Sequence, residues 1–228
     1  PSDRLALENA DLIVYVGEQL ETELHAAIRG LGSDQSVLQL LGVPDMQTRQ
    51  LQDSNRLDPH IWLHSGNGMH IAAAIRDRLI QIDPDIAPQV NEEYRRLELE
   101  LLGARLRWQR HLQDSPMVAY AVYHDAIGYF ESEFSRQHSI VLVDDPEVQP
   151  GIRHLMSVRR SIGDLSPVCL FTDVTSLQNT IDTLFADHKV RQQQLDLMGE
   201  RLAPAAGYVQ LIENLVNDFS SCLAGGRL

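Results

Sequence analysis

The sequence predicts an α/β protein of two similar lobes, each with a parallel sheet, joined by one long rigid helix. Three observations predict it. Short apolar strands alternate with helical segments of 10–15 residues through the second half, the pattern of a parallel sheet covered by helices. The same strand-then-helix rhythm runs through the first 87 residues. Between them, 89–112 is charged and helical throughout, and at 1.5 Å per residue it would span about 36 Å, long for a helix inside one domain. The expected division is 1–87 for the first lobe, 88–113 for the linking helix and 114–228 for the second lobe.

The elements follow in order. Ser2 is placed to cap a short helix over 3–9. The apolar run 12–16 ends at Gly17 and suits a buried strand. Leu20, Leu24, Ala27 and Ile28 recur at helical spacing in 18–29. The stretch 30–57, with Gly32, Gly42 and Pro44, reads as connection with one short strand near 37–41. Asp58-Pro59-His60-Ile61-Trp62-Leu63 reads as a loop or extended segment, and a helix is expected from His70 to 82. Pro84 and Pro88 interrupt the chain before the long helix, whose apolar positions are Tyr94, Leu97, Leu101, Leu106 and Trp108. Strands are then expected at 117–122, 140–143, 168–171 and, weakly, 190–195. Helices are expected at 126–134, 151–162, 175–185 and 208–223.

Composition excludes some classes. The 228 residues are 43% hydrophobic and 22% charged, ordinary for a folded protein. No uninterrupted apolar run approaches the 18 residues or so of a spanning helix. Nineteen basic residues against 32 acidic give a net charge of −13, which disfavours nucleic acid and anionic membrane and favours cations. Lys189 is the only lysine. Phosphate-loop, GxGxxG, GxSxG and HExxH motifs are absent, which removes the simplest nucleotide-enzyme, serine-hydrolase and metalloprotease readings. Cys169 and Cys222 would be thiols in a reducing compartment and one bridge in an oxidising one, and their count does not choose. The chain opens PSDRLALENADL without an initiator Met, as a processed or truncated start would.

Of nine histidines, two have informative contexts. His60 stands between a turn-forming Asp-Pro and Trp62. It could equally be a structural histidine beside a core tryptophan. His124, in VYHDAIGYFE, falls at the carboxyl end of an expected parallel strand, where ligands of open α/β sheets gather, and Asp125 is placed to cap the following helix. Asp173 in LFTDV and Asp196 in LDLMGE also follow strands. Each alone reads as a cap or a turn. Together, two imidazoles and a carboxylate from separate elements suit a borderline divalent cation, zinc first. His64 follows His60 by four residues, but the intervening Ile-Trp-Leu reads extended. His25, His111, His138, His154 and His188 lack partner spacing and read as surface or supporting residues.

These segments taken together resemble the periplasmic zinc-binding (ZnuA-like) solute-binding proteins of ABC metal importers, within the wider zinc/manganese-binding TroA-like group. The likeness runs the length of the chain. PSDRLALENADLIVYVGEQLE is similar to the family's helix–strand–turn after its first metal loop. DPHIWL and VYHDAIGYFE are similar to its second and third histidine segments. VDDPEVQPGIRHL with VCLFTDV resembles the second-lobe strand–helix–strand, and LDLMGE is similar to a segment carrying a carboxylate.

The resemblance implies zinc captured between the lobes by His60, His124 and Asp196 and delivered to an ABC permease. It implies a monomeric periplasmic receptor, not an enzyme, with no nucleic-acid partner and no membrane insertion of its own. His64 and Asp173 would be supporting or spare ligands. Imidazole at 124, where manganese-type relatives carry Glu, favours zinc. Cys169 and Cys222 would form a disulfide. The family's first strand and first histidine ligand would precede Pro1. No histidine lies in 42–57, so no accessory metal-collecting loop is expected. Because ligation needs neutral imidazole, affinity should fall as pH drops through about 6–7. The long helix would keep lobe motion small on release. A manganese receptor or an adhesin of the same fold are alternatives. Another is a zinc metalloenzyme, with Asp125 or Asp173 as base to a metal-bound water.

Overall fold

The structure, a computed structural model, describes residues 2–31, 36–51, 56–146 and 148–225. The chain divides into two compact units, Pro1–Leu102 and Gly103–Leu228. Expectations at Gly32, within 52–55 and for the Ser2 side chain lie outside what is described.

The first unit opens with α1 (Ser2–Glu8), β1 (Ile13–Tyr15), α2 (Thr22–Arg29) and β2 (Val37–Gln39). β1 and β2 pair in parallel, Ile13 opposite Val37. Helix α2 starts four residues later than its apolar spacing suggests. The Glu21 carboxylate folds back to accept the N–H groups of Val16 and Gly17, at 2.9 and 3.0 Å, so 17–21 is a turn at the strand end. Instead of an extended Ile-Trp-Leu, Ile61–Leu63 is a 3-10 turn, and α3 (Ser65–Ile82) begins directly after it, well before His70.

His64 explains that early start. It is the N-cap of α3, and its Nδ1 accepts from the N–H of Gly66 at 3.1 Å and of Asn67 at 3.4 Å. Imidazole does the work usually left to Ser, Thr, Asp or Asn. Gly66 is required for it, because a Cβ there would stand 2.9 Å from His64 Cε1. After a 3-10 turn at Pro84–Ile86, α4 runs unbroken from Ala87 to Gln113, about 40 Å. Pro88 lies in its first turn, where a missing N–H costs nothing. The boundary between the units falls inside α4.

The second unit contains β3 (Tyr120–Val122), α5 (Gly128–Glu133), β4 (Ile140–Val141), α6 (Ile152–Leu165), β5 (Cys169–Thr172), α7 (Gln178–Leu184), β6 (Arg191–Gln194) and α8 (Tyr208–Ala224). Its sheet is wholly parallel, in the order β4-β3-β5-β6. One core cluster packs Ala121, Leu142 and Leu170 with Val158, Ile162, Ile181 and Leu184 of α6 and α7. A second is aromatic. Phe219 of α8 stacks on Phe171 at 4.7 Å and meets Tyr120 and Phe130 edge-on at 5.2 and 5.3 Å. Helices on both faces fit the central strands β3 and β5, which are buried without alternation, whereas β6 at the sheet edge is polar and alternates. Trp108 of α4 is buried and donates to Glu213 of α8 at 2.9 Å. The Arg136 guanidinium bonds the carbonyls of Leu112, Ser115 and Pro116, sealing the carboxyl end of α4. A disulfide joins Cys169 of β5 to Cys222 of α8, with Cα atoms 5.9 Å apart. No helix among the described residues is long and apolar enough to cross a membrane.

Candidate metal centre

In the second unit, β3, β5 and β6 are consecutive neighbours, with Val122 opposite Phe171 and Thr172 opposite Gln194. Their carboxyl ends lead into His124, Asp173 and Asp196, so topology alone sets three candidate side chains along one edge of the sheet. Tyr123 extends β3 by donating its N–H to Phe171 O at 2.8 Å. The chain then turns, with Ala126 N–H on His124 O at 2.8 Å.

His124 and Asp173 meet. Nδ1 of the imidazole lies 2.9 Å from Oδ2 of the carboxylate, and both side chains are about one-tenth exposed. The other Asp173 oxygen, Oδ1, accepts from the amide and the hydroxyl of Thr175 at 2.7 and 2.6 Å. Burial pushes the Asp173 carboxyl up. The hydrogen bond and charge of His124, with the two Thr175 donors, outweigh burial and hold it below the ordinary carboxylate value.

The Asp196 carboxylate is turned to its own loop. Oδ1 accepts from the amides of Gly199 and Glu200 at 2.8 and 2.9 Å, and Oδ2 from that of Arg201 at 2.7 Å. Burial again acts upward on its pKa, and the three amides and the Arg201 charge hold it lower. A carboxylate has roughly four lone-pair directions, so Oδ2 retains capacity beyond this turn.

In the first unit, His60 follows a fully buried Asp58. Asp58 Oδ1 accepts from the His60 amide at 3.0 Å and lies 2.7 Å from its Nδ1. The ring also rests against Trp62, centroids 5.5 Å apart. His64, by contrast, is engaged as the cap of α3. Asn67, fully buried, fastens the segment: it accepts from Gln47 N at 2.8 Å and donates to the carbonyls of Gln47 and Ile61 at 2.9 and 3.1 Å.

The histidines set aside on spacing fall into different places. His25 bonds the Tyr15 hydroxyl at 3.0 Å, and His111 bonds Ser220 at 2.8 Å on the surface. His154 bonds Leu142 O at 2.8 Å. His138 is not a surface residue. Its Nδ1 lies 2.8 Å from Glu131 Oε2, whose other oxygen accepts from Tyr120 at 2.5 Å. Burial, then the charge and hydrogen bond of Glu131, push the Tyr120 hydroxyl far up. Asp125 is buried in the same region, its ligand atom within 4.8 Å of those of Glu131 and His138. The N-cap of α5 is Ile127, with no side-chain cap, so Asp125 does not cap that helix. The residues around His60 that spacing missed are Asp58 and Asn67, together with Arg49, whose Nη1 lies 2.7 Å from Asp58 Oδ2. The only signal for them was the aspartate two positions before His60.

The profile of the family described as ZnuA, zinc-uptake complex component A, periplasmic, matches residues 1–222. The high-affinity zinc uptake system protein ZnuA of Yersinia pestis is 26% identical, over 98% of this chain and 79% of its own. Among solved structures, the periplasmic zinc-binding protein TroA of Treponema pallidum superposes with a TM-score of 0.83 at 20% identity, covering 98% of this chain and 84% of that one. A Mn-bound periplasmic metal-binding protein from Candidatus Liberibacter asiaticus superposes at 0.79 and 16% identity, covering 97% and 84%. The same protein has also been solved with Cd bound. These structures share the fold.

Proposed function

The chain belongs to the ZnuA family, the periplasmic A components of zinc-uptake complexes, and from that premise we propose that it captures zinc on His60, His124 and Asp196 and passes it to the permease of an ABC importer. The family is one of metal receptors. Zinc is the cargo here.

One observation carries the reading. Both candidate histidines set Nδ1 close to an aspartate: His60 is hydrogen-bonded to fully buried Asp58 at 2.7 Å, and His124 pairs with partly buried Asp173 at 2.9 Å. A carboxylate that holds Nδ1–H selects the tautomer whose Nε2 carries the lone pair. It also fixes the ring plane and raises the basicity of Nε2. Two such imidazoles and a carboxylate suit zinc better than manganese, which prefers oxygen. The net charge of −13 favours approach of a cation. In this reading 88–113 is a stiff link between a lobe at 1–87 and one at 114–228, and the receptor works as a monomer.

The test is chelator-competition titration of zinc and manganese into the metal-free protein and into His60→Ala, His124→Ala and Asp196→Ala. Zinc should bind more tightly than manganese, and each histidine variant should lose at least tenfold in zinc affinity. Unchanged affinity in both histidine variants overturns the assignment.

A further inference from the structure

We infer that Arg49 is a positioning residue for the His60 imidazole, acting through Asp58. The inference rests on the reading of His60 as a ligand and adds the residue that holds its carboxylate in place.

The backbone brings Arg49 and Asp58 together. Gln50 and Leu57 form an isolated antiparallel bridge. Leu51 N–H bonds Arg56 O at 3.0 Å, and Asp58 N–H bonds Arg49 O at 2.9 Å. Residues nine apart in sequence therefore face each other across a short two-stranded ribbon. Arg49 Nη1 reaches Asp58 Oδ2 at 2.7 Å.

The two oxygens of Asp58 are thus divided. Oδ2 takes the guanidinium, and Oδ1 takes the amide and the ring nitrogen of His60. A fully buried carboxylate needs a compensating charge, and the Arg49 side chain, about one-quarter exposed, supplies one from the solvent side. Held on one oxygen, the carboxylate cannot rotate its other oxygen away from the imidazole.

The second arm is built differently. Asp173 also offers one oxygen to its histidine, but the other is anchored by the Thr175 amide and hydroxyl. Neutral donors withdraw less charge from a carboxylate than a guanidinium does. The Asp58 oxygen facing His60 is therefore the poorer acceptor of the two, and His60 the weaker donor to a metal. Arg49 fixes the direction of the His60 arm at a small cost in its strength, and losing that direction outweighs the strength regained when the guanidinium is removed.

The test compares Arg49→Gln, Arg49→Lys and the charge-balanced double variant Arg49→Gln with Asp58→Asn, which leaves no unpaired buried charge. His60→Ala serves as reference. Long-range 15N–1H NMR of the metal-free protein reads the His60 tautomer, and chelator competition reads zinc affinity. Arg49→Gln and the double variant should show mixed His60 tautomers and about a tenfold loss in zinc affinity. His124 should be unchanged, and Arg49→Lys should recover most of the loss. A lower melting temperature with an unchanged His60 tautomer and unchanged zinc affinity assigns Arg49 to the fold alone and overturns the inference. If His60→Ala itself binds zinc normally, the reading of His60 as a ligand fails instead.

Discussion

Nδ1 of His124 lies 2.9 Å from Oδ2 of Asp173, two side chains that leave adjacent parallel strands two residues beyond their last pair, Val122 and Phe171. The contact exists because β3 and β5 are neighbours, though 49 positions separate the two residues in sequence. Asp173→Asn keeps the shape but removes the charge that stabilises Nδ1–H. Loss of such a partner typically costs 10–100-fold in metal affinity. Zinc titration of Asp173→Asn should therefore show about a 30-fold loss, with Thr175→Val giving a smaller one, since Thr175 holds the far oxygen. An Asp173→Asn protein that binds zinc like the parent would separate this carboxylate from the metal.

The first unit offers a structural counterpart in Asn67. Its amide satisfies Gln47 N, Gln47 O and Ile61 O, and it is fully buried. Asn67→Ala strands these three backbone groups away from their partner, which costs about 1–3 kcal/mol per group that water cannot reach. Urea unfolding at neutral pH should show a loss of about 3 kcal/mol. Asn67→Asp keeps the acceptor for Gln47 N but buries an uncompensated carboxylate against the two carbonyls, and should lose more than Asn67→Ala. A loss under about 1 kcal/mol in Asn67→Ala would mean that water replaces the amide and that the segment around His60 is held otherwise.

The parallel strands and their helices were legible because their periods are strong: apolar runs such as 120–122 and 169–172 end in polar residues that the parallel order then gathers at one edge. His124, Asp173 and Asp196 were found for that reason. The segment around His60 was not legible. A 3-10 turn of Ile-Trp-Leu has the composition of a strand, and an imidazole cap followed by Ser-Gly-Asn-Gly carries none of the usual signs of a helix start. Arg49 opposite Asp58 depends on a two-residue ribbon inside a stretch with no periodicity. The Tyr120–Glu131–His138 chain depends on a sheet end and a helix meeting in space, which spacing along the chain does not encode.

The disulfide gives a prediction about stability rather than binding. Cys169 and Cys222 are 53 positions apart and both buried. Closing a loop of that length in the unfolded chain is worth about 4 kcal/mol in the chain-entropy model. Arg191 independently holds α8 to the sheet through Cys222 O and Gly225 O, each at 2.8 Å, so the fold should survive without the bridge. Cys169→Ala with Cys222→Ala should lower the unfolding free energy by about 4 kcal/mol, and reductant should change the parent but not the double variant. Equal urea midpoints for parent and double variant would show that the cross-link adds nothing.

Asp218 predicts a pH dependence of opposite sign to that of most surface carboxylates. It lies on α8, about one-third exposed, with Arg201 Nη2 at 3.5 Å. Burial raises its pKa. Arg201 lowers it and the Asp196 charge raises it further, leaving the group above its ordinary value. The folded protein therefore holds this proton more tightly than the unfolded chain does. Stability is lost as pH rises from the ordinary carboxylate range through the folded value, and that cost remains at neutral pH. Asp218→Asn removes it. At pH 7 the variant should be more stable than the parent, by less than about 1 kcal/mol because the site is partly exposed and screened. The advantage should vanish on acidification, once Asp218 is protonated in both states. Thermal unfolding of both proteins from pH 3 to pH 8 measures the difference directly. An Asp218→Asn protein that is less stable at pH 7 would show that the Arg201 contact outweighs burial.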